Sequence, residues 1–234
     1  MPYRFFCPHL PPSGQVTLTD TEAHHLIHVL RCQPNEVIEL FNGDGLVAAC
    51  RIATIRKRDV ELGIQSSRQD PSPSAQLTIA TAVPKGDRFD WLIEKATELG
   101  VERVIPLVTS QSSVDPRSGK LDKLRQTVIA ACKQSGRNHL LQISSVTSWA
   151  DCVNQLIPEY RTLVAHPNGA RIGEVETKFS MNERPQLIVI GPEGGFRDSE
   201  VESAQAAGAI TVSLGPRILR IETAAIAVAS RLLV

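Results

Sequence analysis

The chain has 234 residues, of which 42% are hydrophobic, so it can bury a substantial core in one large domain or in a small and a medium one. Its 25 basic residues balance its 25 acidic ones, which argues against a strongly basic nucleic-acid-binding protein but not against a local basic patch. The five cysteines form no C-x-x-C pair and no export signal or long apolar segment is present. We therefore expect a cytoplasmic protein without a membrane span, a disulfide framework or a zinc ribbon.

The first 70 residues are dominated by short strand patterns. Strands are predicted at 16–18, 37–41, 46–55 and 60–64. Asn42-Gly-Asp-Gly45 indicates a hairpin between the second and third of these, and a helix is predicted over 20–30 with Thr19 or Asp20 as its N-cap. Segment 66–75 is rich in Pro and Ser, which is typical of a linker. The pattern before it indicates a small β-barrel.

Beyond the predicted linker, apolar strand patterns alternate with helical ones. Strands are predicted at 77–83, 104–108, 162–165, 187–190 and 210–214. Helices are predicted from Asp87 to Gly100, over 120–134, from 198 or 199 to 208, and from 222 onward. This alternation predicts a mostly parallel sheet with helices on both faces.

Two similar Gly-Pro loops are the most informative feature of the chain. They are Ile190-Gly-Pro-Glu-Gly-Gly-Phe196 and Leu214-Gly-Pro-Arg-Ile-Leu-Arg-Ile-Glu-Thr-Ala224, and each follows a predicted strand and precedes a helix. Loops at the carboxyl ends of strands in an open α/β sheet form small-molecule pockets. Gly194 and Gly195 would let a ligand approach the backbone. The spacings match neither a P-loop nor a dinucleotide fingerprint.

Two further clusters contain residue types that bind metals or phosphates. His24, His28 and Cys32 have helical spacing, but Pro34 and the end of the apolar pattern place the end of the helix before Cys32, so no metal site is predicted. A basic run extends from Arg117 to Arg137 and is opposed by few acidic residues. This run is the best candidate for a phosphate-contact surface.

The motifs together resemble a known family. The two Gly-Pro loops, Arg4-Phe-Phe6, His24-His-Leu-x-x-Val-Leu-Arg31, Pro84-Lys-Gly-Asp-Arg88 and Gln134-Ser-x-Arg137 are similar to those of the ribosomal small-subunit uridine-N3 methyltransferases, which are SPOUT, or trefoil-knot, enzymes. The resemblance implies an α/β fold with a PUA-like RNA-binding β-barrel over 1–70 and a knotted, mostly parallel methyltransferase domain over 75–234. It further implies S-adenosyl-L-methionine as cofactor, a homodimer, and 16S rRNA in the small ribosomal subunit as substrate. The physical rules of chain connection alone would favour an unknotted sheet.

The resemblance also assigns residues. Three loops would surround the cofactor, with contacts from Ala165, His166, Ile190, Gly191, Pro192, Glu193, Gly195, Leu214, Gly215, Ile218 and Leu219. RNA contacts are expected from Arg4, Arg31, Lys85, Lys120, Lys123, Arg125 and Arg137. Because uracil N3 carries a proton, methylation there needs a base or cations that stabilise the uracil anion.

The predicted catalytic residues are Arg220, Glu222, Glu193 and Arg137, with Lys85 as a further cation. The favoured pair is Arg220 with Glu222, and the alternative is that Glu222 only stabilises the N-terminus of the last helix. Three other functions stay open. They are a SPOUT enzyme acting on a ribose 2′-hydroxyl or another base, a noncatalytic RNA-binding assembly protein, and a nucleotide-binding regulator.

Overall fold

The computed structural model describes residues 2–73, 76–113, 121–176 and 185–233. The chain divides into two compact units: Met1–Ser72 with Cys132–Leu140, and Pro73–Ala131 with Leu141–Val234. No helix within the described ranges is long and apolar enough to cross a membrane.

A five-stranded mixed sheet forms the first unit. Its strands are β1 (Arg4–Phe6), β2 (Gln15–Leu18), β3 (Val37–Phe41), β4 (Leu46–Ile55) and β5 (Val60–Gln69), in the order β1-β3-β4-β5-β2. β1 pairs with β3 in parallel, and the other pairings are antiparallel. The predicted hairpin is confirmed: the Asn42 side-chain oxygen accepts the N–H groups of Asp44 (2.8 Å) and Leu46 (3.0 Å), closing the turn between β3 and β4.

The linker prediction was wrong for residues 66–69. Ser66 pairs with Ala49 and Gln69 with Leu46, so β5 continues to Gln69 along β4. The side chains of this half of β5 are exposed. Because backbone hydrogen bonds hold this segment in the sheet, its exposed side chains can be polar. Its composition therefore resembles that of a linker.

The predicted helix after β2 is confirmed as α1 (Asp20–His24), which continues as a wider π-helical turn at His25–Val29. Ala23 and Leu26 bury the apolar side of this helix in the core of the first unit. Thr19 is the N-cap residue, as predicted, but its hydroxyl donates to the Asp20 carboxylate (2.9 Å) and makes no capping bond to the helix.

A segment far along the chain completes the first unit. Leu140 donates its N–H to Gly43 (2.9 Å) and Gly45 donates to Asn138 (3.1 Å), so residues 138–140 lie against the β3–β4 hairpin. The sequence prediction limited the barrel to residues 1–70 and did not include this segment.

A parallel sheet forms the second unit. The strands are β6 (Leu77–Ala82), β7 (Arg103–Val108), β8 (Gln142–Ile143), β9 (Thr147–Ser148), β10 (Arg161–Arg171), β11 (Gln186–Ile190) and β12 (Ile210–Ser213). The helices are α2 (Arg88–Leu99), α3 (Leu121–Ser135), α4 (Trp149–Asp151, continued as a π-helical turn at Cys152–Leu156), α5 (Ile172–Glu176), α6 (Asp198–Ala206) and α7 (Ile221–Leu233). The order is β12-β10-β11-β6-β7-β8, with β9 beside β7, and every pairing of these strands is parallel. The predicted mostly parallel sheet is confirmed.

The strand and helix patterns explain this arrangement. β6 and β11 are buried along their whole length, as expected for strands covered by helices on both faces. α2 buries Phe89, Leu92, Ile93 and Ala96 and packs against α7. Gly100 ends α2 in the left-handed conformation (φ 92°), as the sequence predicted.

The sequence placed the end of β10 at Ala165, but the strand continues to Arg171. Its register against β12 shifts between Ala165 and Ala170, so the intervening residues bulge out of the ladder. Gly169 permits the continuation, since a Cβ at that position would lie 2.5 Å from the backbone nitrogen of Val212. The sequence signal His166-Pro-Asn-Gly therefore marks a bulge beside β12, not the end of the strand.

Candidate functional site

A pocket of about 470 Å³ lies at the carboxyl ends of three adjacent strands of the second unit. Its walls are the β10 bulge (165–167), the β11–α6 loop (190–196) and the β12–α7 loop (213–219), together with Ile221 and Ala224 of α7. Because β10 lies between β11 and β12, these loops converge on one site. The volume is within the range of pockets for small molecules.

The β11–α6 loop is held by the aromatic residues behind it. A Cβ on Gly191 would lie 2.8 Å from the Phe196 ring, so only glycine fits over that ring. Phe196 packs against Trp149 with ring centroids 5.0 Å apart, and the Trp149 indole donates to the Ser203 hydroxyl (3.2 Å). The loop backbone thus lies on a packed aromatic support and can keep its shape without a ligand.

A buried carboxylate stabilises the end of the same loop. Glu200 is 7% exposed, and its two oxygens accept the N–H groups of Ser110 (2.9 Å) and Arg197 (2.8 Å). A Glu at this position in the first turn satisfies donors that the start of α6 leaves free. The contact also joins the segment after β7 to the pocket loop, so Glu200 has a structural role.

The β12–α7 loop gives the pocket an apolar and open edge. Ile218 lines the pocket but is 91% exposed, which is unusual for a large apolar side chain. Leu214 and Leu219 are half-buried in the same loop, and Arg220 is exposed. The Arg220 carbonyl accepts the Ala224 N–H (2.8 Å) and so starts α7.

Beside the pocket, one arginine lies close to two carboxylates. The Arg88 Nη1 atom is 3.8 Å from Glu193 Oε1 and 4.0 Å from Glu222 Oε1. The Arg88 and Glu193 side chains are 37% and 41% exposed, whereas that of Glu222 is 10% exposed. Within the part of the chain that the structure describes, Glu222 Oε2 is buried without a hydrogen-bond partner. Such an atom is costly unless a ligand supplies a donor.

The predicted cofactor residues and the predicted catalytic residues differ in their placement. The eleven predicted cofactor residues (165, 166, 190, 191, 192, 193, 195, 214, 215, 218 and 219) all line the pocket. Glu222 lies next in sequence to the lining residue Ile221, and Arg220 precedes it. Arg137 belongs to the other unit, where its side chain donates to the His139 carbonyl.

The ion-pair partner of Glu222 in the structure is a different cation from the predicted Arg220. The ion pair that the structure records at Glu222 is with Arg88, at the start of α2, and none with Arg220 occurs among the described residues. Sequence reasoning did not place Arg88 in the site. Arg88 is the last residue of the Pro84-Lys-Gly-Asp-Arg88 motif that the family resemblance includes, but that motif gave no indication of its partners.

The predicted RNA contacts have unequal exposure. Arg31, Lys85, Lys123 and Arg125 are exposed, and Lys120 lies outside the described residues. The Arg4 side chain, in contrast, is only 9% exposed. It donates to Glu39 (2.6 Å), the Cys132 carbonyl (2.8 Å) and Asn138, and lies 4.8 Å from the centroid of the Phe41 ring. These contacts favour a structural role for Arg4 within the first unit.

The chain is similar to known proteins over most of its length. A family model for an RNA methyltransferase domain matches residues 70–233, and one for an RNA methyltransferase PUA domain matches residues 18–65. The ribosomal RNA small subunit methyltransferase E of Bacillus subtilis (strain 168) is 34% identical over 219 residues, which cover 89% of this chain and 85% of that protein. The chain belongs to the ribosomal RNA small subunit methyltransferase E family.

Solved structures of similar proteins extend the match to nearly the whole chain. The methyltransferase E of Neisseria gonorrhoeae bound to S-adenosyl methionine has a TM-score of 0.87 and 31% identity, covering 99% of this chain and 96% of that one. A putative methyltransferase of Legionella pneumophila in complex with the same cofactor also has a TM-score of 0.87, with 30% identity and coverage of 99% and 97%. The first unit is therefore PUA-like and the second has the SPOUT, or trefoil-knot, fold, as the sequence resemblance implied.

Proposed function

We propose that this protein transfers the methyl group of S-adenosylmethionine to N3 of a uridine in the 16S rRNA of the small ribosomal subunit. The observation that carries the proposal is the glycine-rich pocket at the ends of β10, β11 and β12, next to a buried carboxylate that lacks a donor. Membership of the methyltransferase E family supports the same reaction and substrate.

The residues of the pocket fit the proposed cofactor. Four glycines, three prolines and several aliphatic residues line it, so backbone N–H and C=O groups can bind the edges of a purine and a ribose while apolar side chains contact their faces. We propose the eleven lining residues named above as its binding site. The cofactor supplies an electrophilic methyl group, and the protein must align that group with the base. Alignment alone can lower a barrier by roughly 7–11 kcal/mol.

The chemistry at the base requires removal of the N3 proton. Glu222 and Glu193 are the acceptors that we propose, with Glu222 favoured because one of its oxygens is buried without a partner. Arg220 and Arg137 remain proposed cations, the former for its place before Glu222 and the latter from the family resemblance. The exposed residues Arg31, Lys85, Lys123 and Arg125, together with Lys120, are proposed to contact RNA phosphates.

The assembly and location are proposals of the same kind. We propose a PUA-like RNA-binding domain over 1–70, a methyltransferase domain over 75–234, a homodimer and action in the cytoplasm, all on the basis of the family resemblance. Light scattering of the purified protein would test the dimer directly.

One experiment tests the reaction and the substrate together. Small subunits purified from cells that lack this protein are incubated with it and labelled S-adenosylmethionine, and the modified nucleoside is identified by mass spectrometry. We expect 3-methyluridine in 16S rRNA. Label on a ribose or on another base would retain the fold and overturn the proposed reaction, and the absence of label would overturn the proposed substrate.

A further inference from the structure

The Arg88 guanidinium is only partly used by the protein itself. Its Nε donates to the Lys85 carbonyl (3.2 Å), while Nη1 lies 3.8–4.0 Å from the two carboxylates, beyond hydrogen-bonding distance. An arginine has five N–H donors in a fixed plane. Among the described residues, the Nη groups of Arg88 make no hydrogen bond, so donors remain for a ligand. The side chain is 37% exposed, which leaves it accessible.

The nearby acceptor is complementary to this donor. Glu222 Oε1 faces Arg88, and Glu222 Oε2 is buried without a partner. The site therefore offers a cationic donor and a carboxylate acceptor next to each other, 4.0 Å apart. Glu193, which lines the pocket, lies 3.8 Å from the same Nη1 atom.

Arg88 and Glu222 together are complementary to the hydrogen-bonding edge of uracil that contains N3. A uracil presents the N3–H donor between the O2 and O4 acceptors, so a carboxylate can accept from N3 while a guanidinium donates to a neighbouring oxygen. Cytosine presents an amino donor at position 4 instead, which would face the arginine unfavourably. Enzymes that modify bases commonly bind them through hydrogen bonds to this edge.

We propose that Arg88 binds a carbonyl oxygen of the target uracil and stabilises the negative charge that develops when N3 loses its proton to Glu222. This inference rests on the proposed function. The N3–H bond breaks and its proton goes to the Glu222 carboxylate. The N3 electron pair then forms the new bond to the methyl carbon, and the sulfur keeps the electrons of the bond that breaks.

Local charge explains why the arginine is needed. Proton transfer moves one negative charge from Glu222 to the base, while Glu193 keeps its own charge 3.8 Å from the guanidinium. Without Arg88, the uracil anion would form beside an uncompensated carboxylate, which disfavours it. Loss of a single donor to a developing oxyanion typically costs about 10²–10³-fold in rate.

The test begins with the single-turnover rate of Arg88→Gln at saturating S-adenosylmethionine. We expect a loss of about 10²–10³-fold, with unchanged cofactor affinity by calorimetry and an unchanged melting temperature. Arg103→Gln is the matched control. Arg103 lies at the amino end of β7, donates to Gln142 (3.1 Å), and should tolerate the change with the rate retained.

A chemical rescue separates charge stabilisation from a structural role. Fluorine at C5 makes uracil N3 more acidic. In small subunits reconstituted with 5-fluorouridine in 16S rRNA, the base therefore loses its N3 proton with less stabilisation from a cation. On this substrate the ratio of wild-type to Arg88→Gln rates should shrink at least tenfold. The Arg88→Gln/Glu222→Gln double variant should be little slower than either single variant, because residues that act as a unit are not additive.

Two results would overturn the assignment. An unchanged rate ratio on the fluorinated substrate would show that Arg88 does not stabilise the anion, and a loss of cofactor affinity that accounts for the whole rate loss would make it a structural residue of the pocket. Wild-type protein that produces 3-methyluridine in either case would leave the proposed function intact. A different wild-type product would overturn both.

Discussion

The exposed Ile218 side chain allows a quantitative test of the pocket. Full burial of an isoleucine stabilises by about 1.5–3 kcal/mol, and Ile218 is 91% exposed, so nearly all of that free energy is available to a ligand. A flat ligand covers about half of such a side chain, which gives about 1 kcal/mol. Ile218→Ala should therefore weaken cofactor binding about fivefold.

Isothermal calorimetry with S-adenosylmethionine measures this change. The matched control is Ile210→Ala, because Ile210 is also exposed (43%) but lies at the amino end of β12, away from the pocket loops. We expect its dissociation constant to stay within twofold of the wild type. An equally small change for Ile218→Ala would refute the argument that Ile218 covers the cofactor.

Three further predictions follow from contacts in the two units. Arg4→Gln should lower the free energy of unfolding in urea by about 3 kcal/mol, as for breaking a buried ion pair, whereas Arg31→Gln should weaken RNA binding and leave stability within about 0.5 kcal/mol. Gly169→Ala should lower the free energy of unfolding by about 3 kcal/mol through the clash with Val212. Gly63→Ala, with nothing within 4 Å of the added Cβ, should lower it far less. Burial raises the pKa of Cys152 to about 12 and that of Cys50 to about 11, from an ordinary 9.0, so these thiols should resist alkylation in the native protein at pH 8 and react after unfolding.

The same thiols set a pH dependence of stability. Their pKa values are higher in the folded protein, so the unfolded chain loses its protons first as the pH rises. The contribution of these thiols to the free energy of unfolding is complete below pH 9. It declines between about pH 9 and 12, by at most about 1.4 kcal/mol per pH unit for each thiol. Urea unfolding at pH 8 and pH 10 checks this. Equal stabilities at the two pH values would contradict the sign. Normal stability of Arg4→Gln would contradict the structural role given to Arg4.

The sequence predicted what depends on local patterns. β3, β4 and the Gly-Pro loops follow directly from alternation, apolar runs and glycines, and nine of the eleven pocket residues that the family resemblance implied lie in those loops. Long-range pairings left no local signal. Arg88 could not be matched to Glu222, nor Arg4 to Glu39, because each pair lies far apart in the chain. Ser66–Gln69 was misread because an exposed strand and a linker have the same composition.

The trefoil knot was available only from the family resemblance. Periodicity predicts strands and helices but not the path of the chain through a loop, and the general rules of connection favour unknotted sheets. The β10 bulge was missed for a related reason, since the Gly169 approach to Val212 depends on a strand that follows much later in the sequence.

The return of residues 132–140 to the first unit has a consequence for protein synthesis. Helix α3 begins in the second unit and its last residues belong to the first, so a fragment that ends at residue 72 would leave Arg4 without its Cys132 and Asn138 acceptors. The barrel cannot be completed during translation until residue 140 has emerged from the ribosome. At roughly 5–20 residues per second, the nascent barrel waits for seconds with its hairpin uncovered, while the first strands of the following sheet are already being made.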